Sequence, residues 1–174
     1  MKKLALIYWP KGGSVERCAE IIKNRIENCD VDLLCLDNVK ADDLNIYDSM
    51  IFGGSTVGAD YWSNDAAQDQ WVFLFSEFDK KGIDFSDKKA AVFGLGNQLL
   101  YPGHFVDGMK IIKENLEKTG MSVVGEWPTD GYDFKDSQAV ENDKFVGLAL
   151  DEDCQPELTN DRIAKWLEQL KDQL

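Results

Sequence analysis

The most constraining feature of the chain is an alternation of short, nearly continuous apolar runs with amphipathic stretches of helical period. Lys3–Trp9 is the first such run. Pro10-Lys11-Gly12-Gly13 follows at once, and then Val15–Glu27, where Val15, Ala19, Ile22 and Ile26 share one face and Glu16, Arg17, Glu20, Lys23 and Glu27 the other. A run that is apolar on both faces suits a strand covered on both sides, and parallel sheets flanked by helices are built from such strands. The pattern recurs. Val31–Leu36, Met50–Gly53 and Lys89–Gly94 read as further strands, and Trp71–Phe78 and Phe105–Thr119 as helices, the latter closed by Gly120 in the left-handed region. Ser122–Trp127 and Lys144–Leu150 both read as strand, separated by the Asp- and Gly-rich stretch Pro128–Asp143. Thr159 reads as the N-cap of a final helix whose apolar stripe is Ile163, Trp166, Leu167, Leu170 and Leu174. No linker, repeat or low-complexity segment interrupts the chain, so its 174 residues read as one α/β domain.

Charge narrows the function. With 19 Lys+Arg against 32 Asp+Glu the net charge is −13, which disfavours nucleic acid and anionic lipid and favours cationic protein partners or plain solubility. The four cysteines show no paired spacing, and His104 is the single histidine, so no Cys/His metal site is expected. Cys18 and Cys35 read as buried apolar fillers, and Trp71, Trp127 and Trp166 as core. The first apolar run is too short for a signal peptide, and no run approaches the length of a membrane span, so a cytoplasmic protein with free thiols is expected.

In a doubly wound sheet, ligands bind beyond the carboxyl ends of the strands, where the strand order reverses. Three loops occupy such ends. Pro10-Lys11-Gly12-Gly13-Ser14-Val15 runs from a strand into a helix start, which exposes unpaired N–H groups and the positive end of the helix dipole to an anion such as phosphate. The other reading is a tight turn without a ligand. After the third strand, Ser55, Thr56, Val57 and Gly58 lead to Tyr61 and Trp62, which either stack on a flat ligand or fold back onto the core. After the fourth, Gly94, Leu95, Gly96, Asn97 and Gln98 give close backbone approach and amide groups, followed by a further flat surface at Tyr101. Together the loops suit a flat heteroaromatic ring with a phosphate tail.

The segments Ala91–Gln98 with Tyr101-Pro102, Trp127–Phe134, Lys144–Asp153 and Pro156–Ile163 with Trp166 closely resemble those of long-chain bacterial flavodoxins, and the resemblance spans essentially the whole chain. It implies a three-layer α/β/α, doubly wound, five-stranded parallel sheet of order 2-1-3-4-5, with an insert interrupting the last strand. It also implies a monomeric, low-potential carrier that holds flavin mononucleotide (FMN) non-covalently. Such a carrier takes electrons from a flavin- or NAD(P)H-dependent reductase and delivers them to an electron-accepting enzyme. By the same resemblance Tyr101 matches the outer-face stacker, Ser55–Gly58 and Gly94–Asn97 supply backbone to the ring, and Asp107 falls near the ring's pyrimidine end. Asn97 stands where the family usually has Asp, and His104 where it often has Asn. The usual inner-face Trp position is Val57 here, leaving Val57, Tyr61 or Trp62 for that wall.

The phosphate loop departs most. The family's three hydroxyls are replaced in Pro10–Val15, which keeps Gly13 and offers Lys11 and Ser14 instead, and Pro10 removes a backbone N–H. Each lost hydroxyl–phosphate bond is worth ~1.5–3 kcal/mol. Two further readings therefore stand beside the carrier: a flavodoxin-fold binding or regulatory module with weakened flavin binding, and a small flavin reductase, for which no hydride-donor residue set is visible. Asp60, Asp65, Asp69, Asp107, Asp130 and Asp133 fall on or beside these loops and the insert, where they would steer cationic redox partners.

Overall fold

The computed structural model describes residues 1–56 and 70–174. The main strands and helices are β1 (Lys3–Tyr8), α1 (Ser14–Arg25), β2 (Asp30–Cys35), β3 (Ser49–Ser55), α2 (Gln70–Lys81), β4 (Lys89–Leu95) and α3 (Gly108–Lys118). β5 (Ser122–Val124), β6 (Trp127–Pro128), β7 (Val140–Glu141), β8 (Lys144–Phe145), β9 (Leu148–Leu150) and α4 (Thr159–Leu170) complete them. The main sheet runs β2-β1-β3-β4-β5, all parallel, and β9 also pairs with β4. Ser122–Val124 sits against Lys89–Ala91, and Leu148–Leu150 against Phe93–Leu95. β5 and β9 are thus two halves of one fifth strand, as expected of an interrupted last strand.

The strand alternation divides the core between the two faces. Ala5, Ile7, Met50, Phe52, Ala90 and Val92 pack with α2 and α3 around Trp71, Phe75, Phe78, Phe105 and Met109. Leu4, Leu6, Tyr8, Ile51, Ala91 and Phe93 pack with α1 and α4 around Cys18, Ile22, Ile163 and Trp166. This is the period-two geometry that a strand covered on both faces requires. The close approach is built in at Gly53 and Gly94, where a Cβ would run into Phe93 and Met109 respectively.

Several local expectations are corrected. The helix expected over Phe105–Thr119 begins only at Gly108, because Val106 has φ +52° and breaks the helical path; Gly120, at φ +88°, closes it as expected. Ser122–Trp127 is not one strand. Gly125, at φ +87°, turns the chain out of the main sheet, and Trp127–Pro128 pairs instead with Lys144–Phe145. Lys144–Leu150 likewise splits between the small antiparallel sheet β6-β8-β7 and the main sheet, so the interruption runs from 125 to 147. Thr159 is the first residue of α4 and no side-chain cap; its hydroxyl donates to Glu152. Cys18 is fully buried, but Cys35 is only half-buried, since β2 is the sheet's open edge; its Sγ lies 3.6 Å from Asp37 Oδ2. Trp71 and Trp166 are core, while Trp127 is partly buried and donates to the Tyr132 hydroxyl at 2.9 Å. Among the described residues no helix is long and apolar enough to cross a membrane.

Candidate functional site

Register brings the starts of the three loops to one end of the sheet. Tyr8 is level with Gly53, Ser55 with Leu95, and Leu95 with Leu150, so β1, β3, β4 and β9 end side by side. Backbone bonds extend that alignment into the loops: Trp9 N donates to Gly53 O at 3.1 Å, Thr56 N to Leu95 O at 3.0 Å, and Gly96 N to Leu150 O at 3.1 Å. Ser55 and Thr56 continue directly from β3, and Thr56 Oγ1 accepts the Gly108 amide at 3.3 Å, which ties the end of β3 to the start of α3. Val57, Gly58, Tyr61 and Trp62, with Asp60, Asp65 and Asp69, lie outside the described residues.

The loop from β1 to α1 passes a cis Trp9–Pro10 peptide and reaches α1 through Gly12, at φ +84°. Gly13 is the N-cap and supplies no side-chain cap, and Cβ atoms at Gly12 and Gly13 would meet nothing within 4 Å. The surface above these glycines is therefore open, with the first amides of α1 beneath it. Lys11 is exposed, and Val15 turns inward to the core. Ser14 Oγ accepts from Arg17 Nη2 at 2.7 Å. Glu16, which the sequence placed on the helix's polar face, reaches back instead. One oxygen accepts the Gly12 amide at 2.7 Å and the other the Tyr8 hydroxyl at 2.5 Å. The Tyr8 bond, then the Gly12 amide, hold the Glu16 carboxyl below its ordinary range, while burial and that carboxylate push the Tyr8 hydroxyl far above its own.

The loop after β4 is shaped from within. Gly94 and Leu95 end the strand, and a Cβ at Gly96 would press on Phe105 and the Val106 amide. Asn97 Oδ1 accepts the amides of Leu99 and Leu100 at 3.1 and 2.9 Å, and Asn97 Nδ2 donates to Asp153 Oδ2 at 3.1 Å. Tyr101 emerges half-exposed (49%) after exposed Leu99 and Leu100, and presents an accessible ring. His104 precedes α3 by a turn; its Nδ1 lies 3.0 Å from Asp107 Oδ2. Asp107 is buried, and its other oxygen accepts the Gln138 amide at 2.8 Å. The acid expected beside the ring's pyrimidine end is thus engaged in pinning residues 104 and 138.

One residue of this end, Asp151, escaped the sequence reading as a site. Asp151, fully buried, accepts four N–H groups: Gln98 N and Nε2 on one oxygen at 3.0 and 2.9 Å, Asp153 N and Cys154 N on the other at 3.2 and 2.9 Å. Gln98 Oε1 in turn accepts the Asp133 amide. The signal available was an acid at the very end of an apolar run, Leu148-Ala149-Leu150-Asp151, facing a Gln in the neighbouring loop. A cavity of about 440 Å³ lies at the opposite end of the strands, among Leu4, Arg25, Leu170 and Leu174.

The family model for flavodoxins matches residues 6–166 of this chain. The chain belongs to the flavodoxin family. Its curated relatives include the flavodoxin of a Nostoc species, 44% identical over 170 residues that cover 98% of this chain and 96% of the relative. The flavodoxin of Synechococcus elongatus is 41% identical over 172 residues, covering 98% and 97%. Among solved structures, the flavodoxin of Fusobacterium nucleatum bound to flavin mononucleotide superposes with a TM-score of 0.85 at 27% identity, over 100% of this chain and 99% of that one. As a flavodoxin it is an electron carrier and not a catalyst on its own.

Proposed function

We propose that this flavodoxin binds FMN non-covalently at the carboxyl end of its sheet and passes electrons between redox enzymes. The observation that carries the reading is that the three loops start from adjacent strand ends, in a chain that aligns along its whole length with an FMN-bound flavodoxin. The donor set fits the group. The uncapped start of α1 under open Gly12 and Gly13, with Lys11 beside it, suits an anion, and the Glu16 carboxylate bonded to the Gly12 amide supports that reading. Bound there, FMN supplies the one- and two-electron chemistry; the protein supplies binding, orientation and electrostatics.

In this reading Lys11 and the backbone of Gly12, Gly13, Ser14 and Val15 hold the phosphate. Ser55, Thr56 and the backbone from Gly94 to Asn97 run along the ring edge, and Tyr101 covers its outer face. The inner wall is assigned to Val57, Tyr61 or Trp62, and Gly58 to backbone contact. Pro10 fixes the entry of the loop. His104 and Asp107 hold the loop that carries Tyr101, a role supported by their mutual contact and by the Asp107–Gln138 bond. The acidic surface, including exposed Asp130, steers a cationic reductase and acceptor, and we read the carrier as a monomer of the cytoplasm, where its four free thiols stay reduced.

The test is the visible spectrum of the protein as purified, with the bound molecule identified by mass. A yellow protein releasing FMN is expected. Colourless protein whose apo form leaves FMN fluorescence unquenched at micromolar concentration would instead support the binding-module reading. Rapid oxidation of NAD(P)H by the isolated protein would support a reductase.

A further inference from the structure

We propose that Glu16 is an internal competitor of the ligand's phosphate and sets how strongly this flavodoxin prefers FMN over unphosphorylated riboflavin. The inference rests on the FMN reading above. It starts from two bonds: the Glu16 carboxylate takes the Gly12 amide at 2.7 Å and the Tyr8 hydroxyl at 2.5 Å, so an anion of the protein itself occupies a donor of the phosphate loop.

A phosphate arriving at this loop meets one of two situations. If Glu16 stays, the loop offers one amide fewer and sets a carboxylate beside a group carrying close to two negative charges. If Glu16 leaves, the Tyr8 hydroxyl, on a residue only 4% exposed, loses its acceptor, and a buried hydroxyl without a partner is unfavourable. Both routes weaken the phosphate end and neither touches the ring. Lys11 partly offsets the effect, since it is near enough to favour the ionised Glu16 and would serve the phosphate in the same way. Ser14 offsets part of it too, since its hydroxyl accepts from Arg17 and keeps its own O–H to donate.

The consequence is unusual for a site residue: removing Glu16 tightens binding. The experiment titrates apo-protein with FMN and with riboflavin, following the quenching of flavin fluorescence, for the wild type, Glu16→Gln, Glu16→Ala and Tyr8→Phe. Glu16→Gln and Glu16→Ala are expected to lower the Kd for FMN about tenfold, the factor associated with one charge-assisted contact. The Kd for riboflavin is expected to stay within about twofold of wild type. Tyr8→Phe, which keeps the charge but releases its anchor, is expected to tighten FMN less than the Glu16 variants. It also provides a conservative readout should a Glu16 variant prove unfolded by far-UV circular dichroism. Unchanged or weaker FMN binding in the folded variants overturns the proposal, as does an equal gain for riboflavin. If wild type binds FMN and the variants bind it no better, only the role of Glu16 falls. If neither wild type nor any variant binds FMN, the carrier reading falls and takes this inference with it.

Discussion

Asp151→Asn should cost this fold about 2–3 kcal/mol, although it changes one atom. The carboxylate is fully buried and serves four N–H groups, two from Gln98 and two from the Asp153 and Cys154 amides. An asparagine can accept on one oxygen only, so in either amide orientation its NH2 meets two donors head-on. Two hydrogen bonds to a charged acceptor disappear, each worth about 1.5–3 kcal/mol, and two buried or part-buried N–H groups lose their partner. Removing the desolvation of a buried charge returns part of this, roughly half. For a chain of this size the net loss corresponds to a fall in melting temperature of roughly 5–10 °C. Urea unfolding of apo-protein, followed by both circular dichroism and tryptophan fluorescence, measures it. Asp151→Ala, which orphans all four donors, should lose more than Asp151→Asn. A loss below about 1 kcal/mol for the asparagine, or an alanine milder than the asparagine, would refute the view that this carboxylate is the acceptor hub of the loop after β4.

Three shorter expectations follow. Asn97→Asp keeps the caps on Leu99 and Leu100 but sets a carboxylate against Asp153 where Nδ2 now donates, so stability should fall by about 1–2 kcal/mol and the midpoint potential of the FMN-loaded protein should become more negative; a redox titration with no shift, or a positive one, contradicts it. Glu141 joins the insert to α3 through Lys110 and Lys113, which hold its carboxyl below the ordinary range. A depressed carboxyl stabilises above the unfolded-state pKa and is lost as pH falls through the folded value, so Glu141→Gln should lose about 0.5–1 kcal/mol at pH 7 for these partly exposed groups, and nothing once the wild-type carboxyl is protonated; comparing urea midpoints at the two pH values tests this. If acidic steering operates, the rate of reduction by a cationic reductase should fall steeply as salt rises, and a flat stopped-flow profile would return the charge of −13 to plain solvation.

The sheet was legible because both-face burial leaves an unambiguous mark: Lys3–Tyr8 and Lys89–Leu95 alternate their side chains between two cores and show no polar face. The loops were legible as locations, since glycines and strand ends mark them. Their side-chain directions were not. Asn97 looks like a ligand group in sequence and turns inward to cap Leu99 and Leu100, while Glu16 looks like a solvated helix charge and folds back onto Gly12. Both outcomes depend on which donor is left without a partner by the backbone, a quantity set by three-dimensional geometry and not by residue spacing. The helix start misplaced at Phe105 has the same origin, because a left-handed Val106 is held there by tertiary contacts against its own preference.

The interruption of the fifth strand then acquires a physical role that composition left open between a partner surface and a cover for the sheet edge. Residues 132–138 bond repeatedly to the loop between β4 and α3: Lys135 N and Asp136 N donate to Pro102 O at 2.7 and 2.9 Å, Phe105 N donates to Asp136 O at 3.4 Å, and Gln138 N donates to Asp107 Oδ1 at 2.8 Å. Asp133 N donates to Gln98 Oε1, and Phe105 meets a tilted Tyr132 and a stacked Phe134, each with ring centroids 5.6 Å apart. From the other side, Arg162 lies over the Tyr132 ring at 3.9 Å and donates to Gly131 O at 3.2 Å. Residues 99–104, which hold Tyr101 half-exposed, bury no side chain of their own, so what fixes them has to come from neighbours. The insert supplies them, and it does so through backbone donors and acceptors that tolerate little displacement. Weakening the insert should therefore be felt at the ring face before it is felt in the sheet, since the β5 and β9 halves pair with β4 through their own separate ladders.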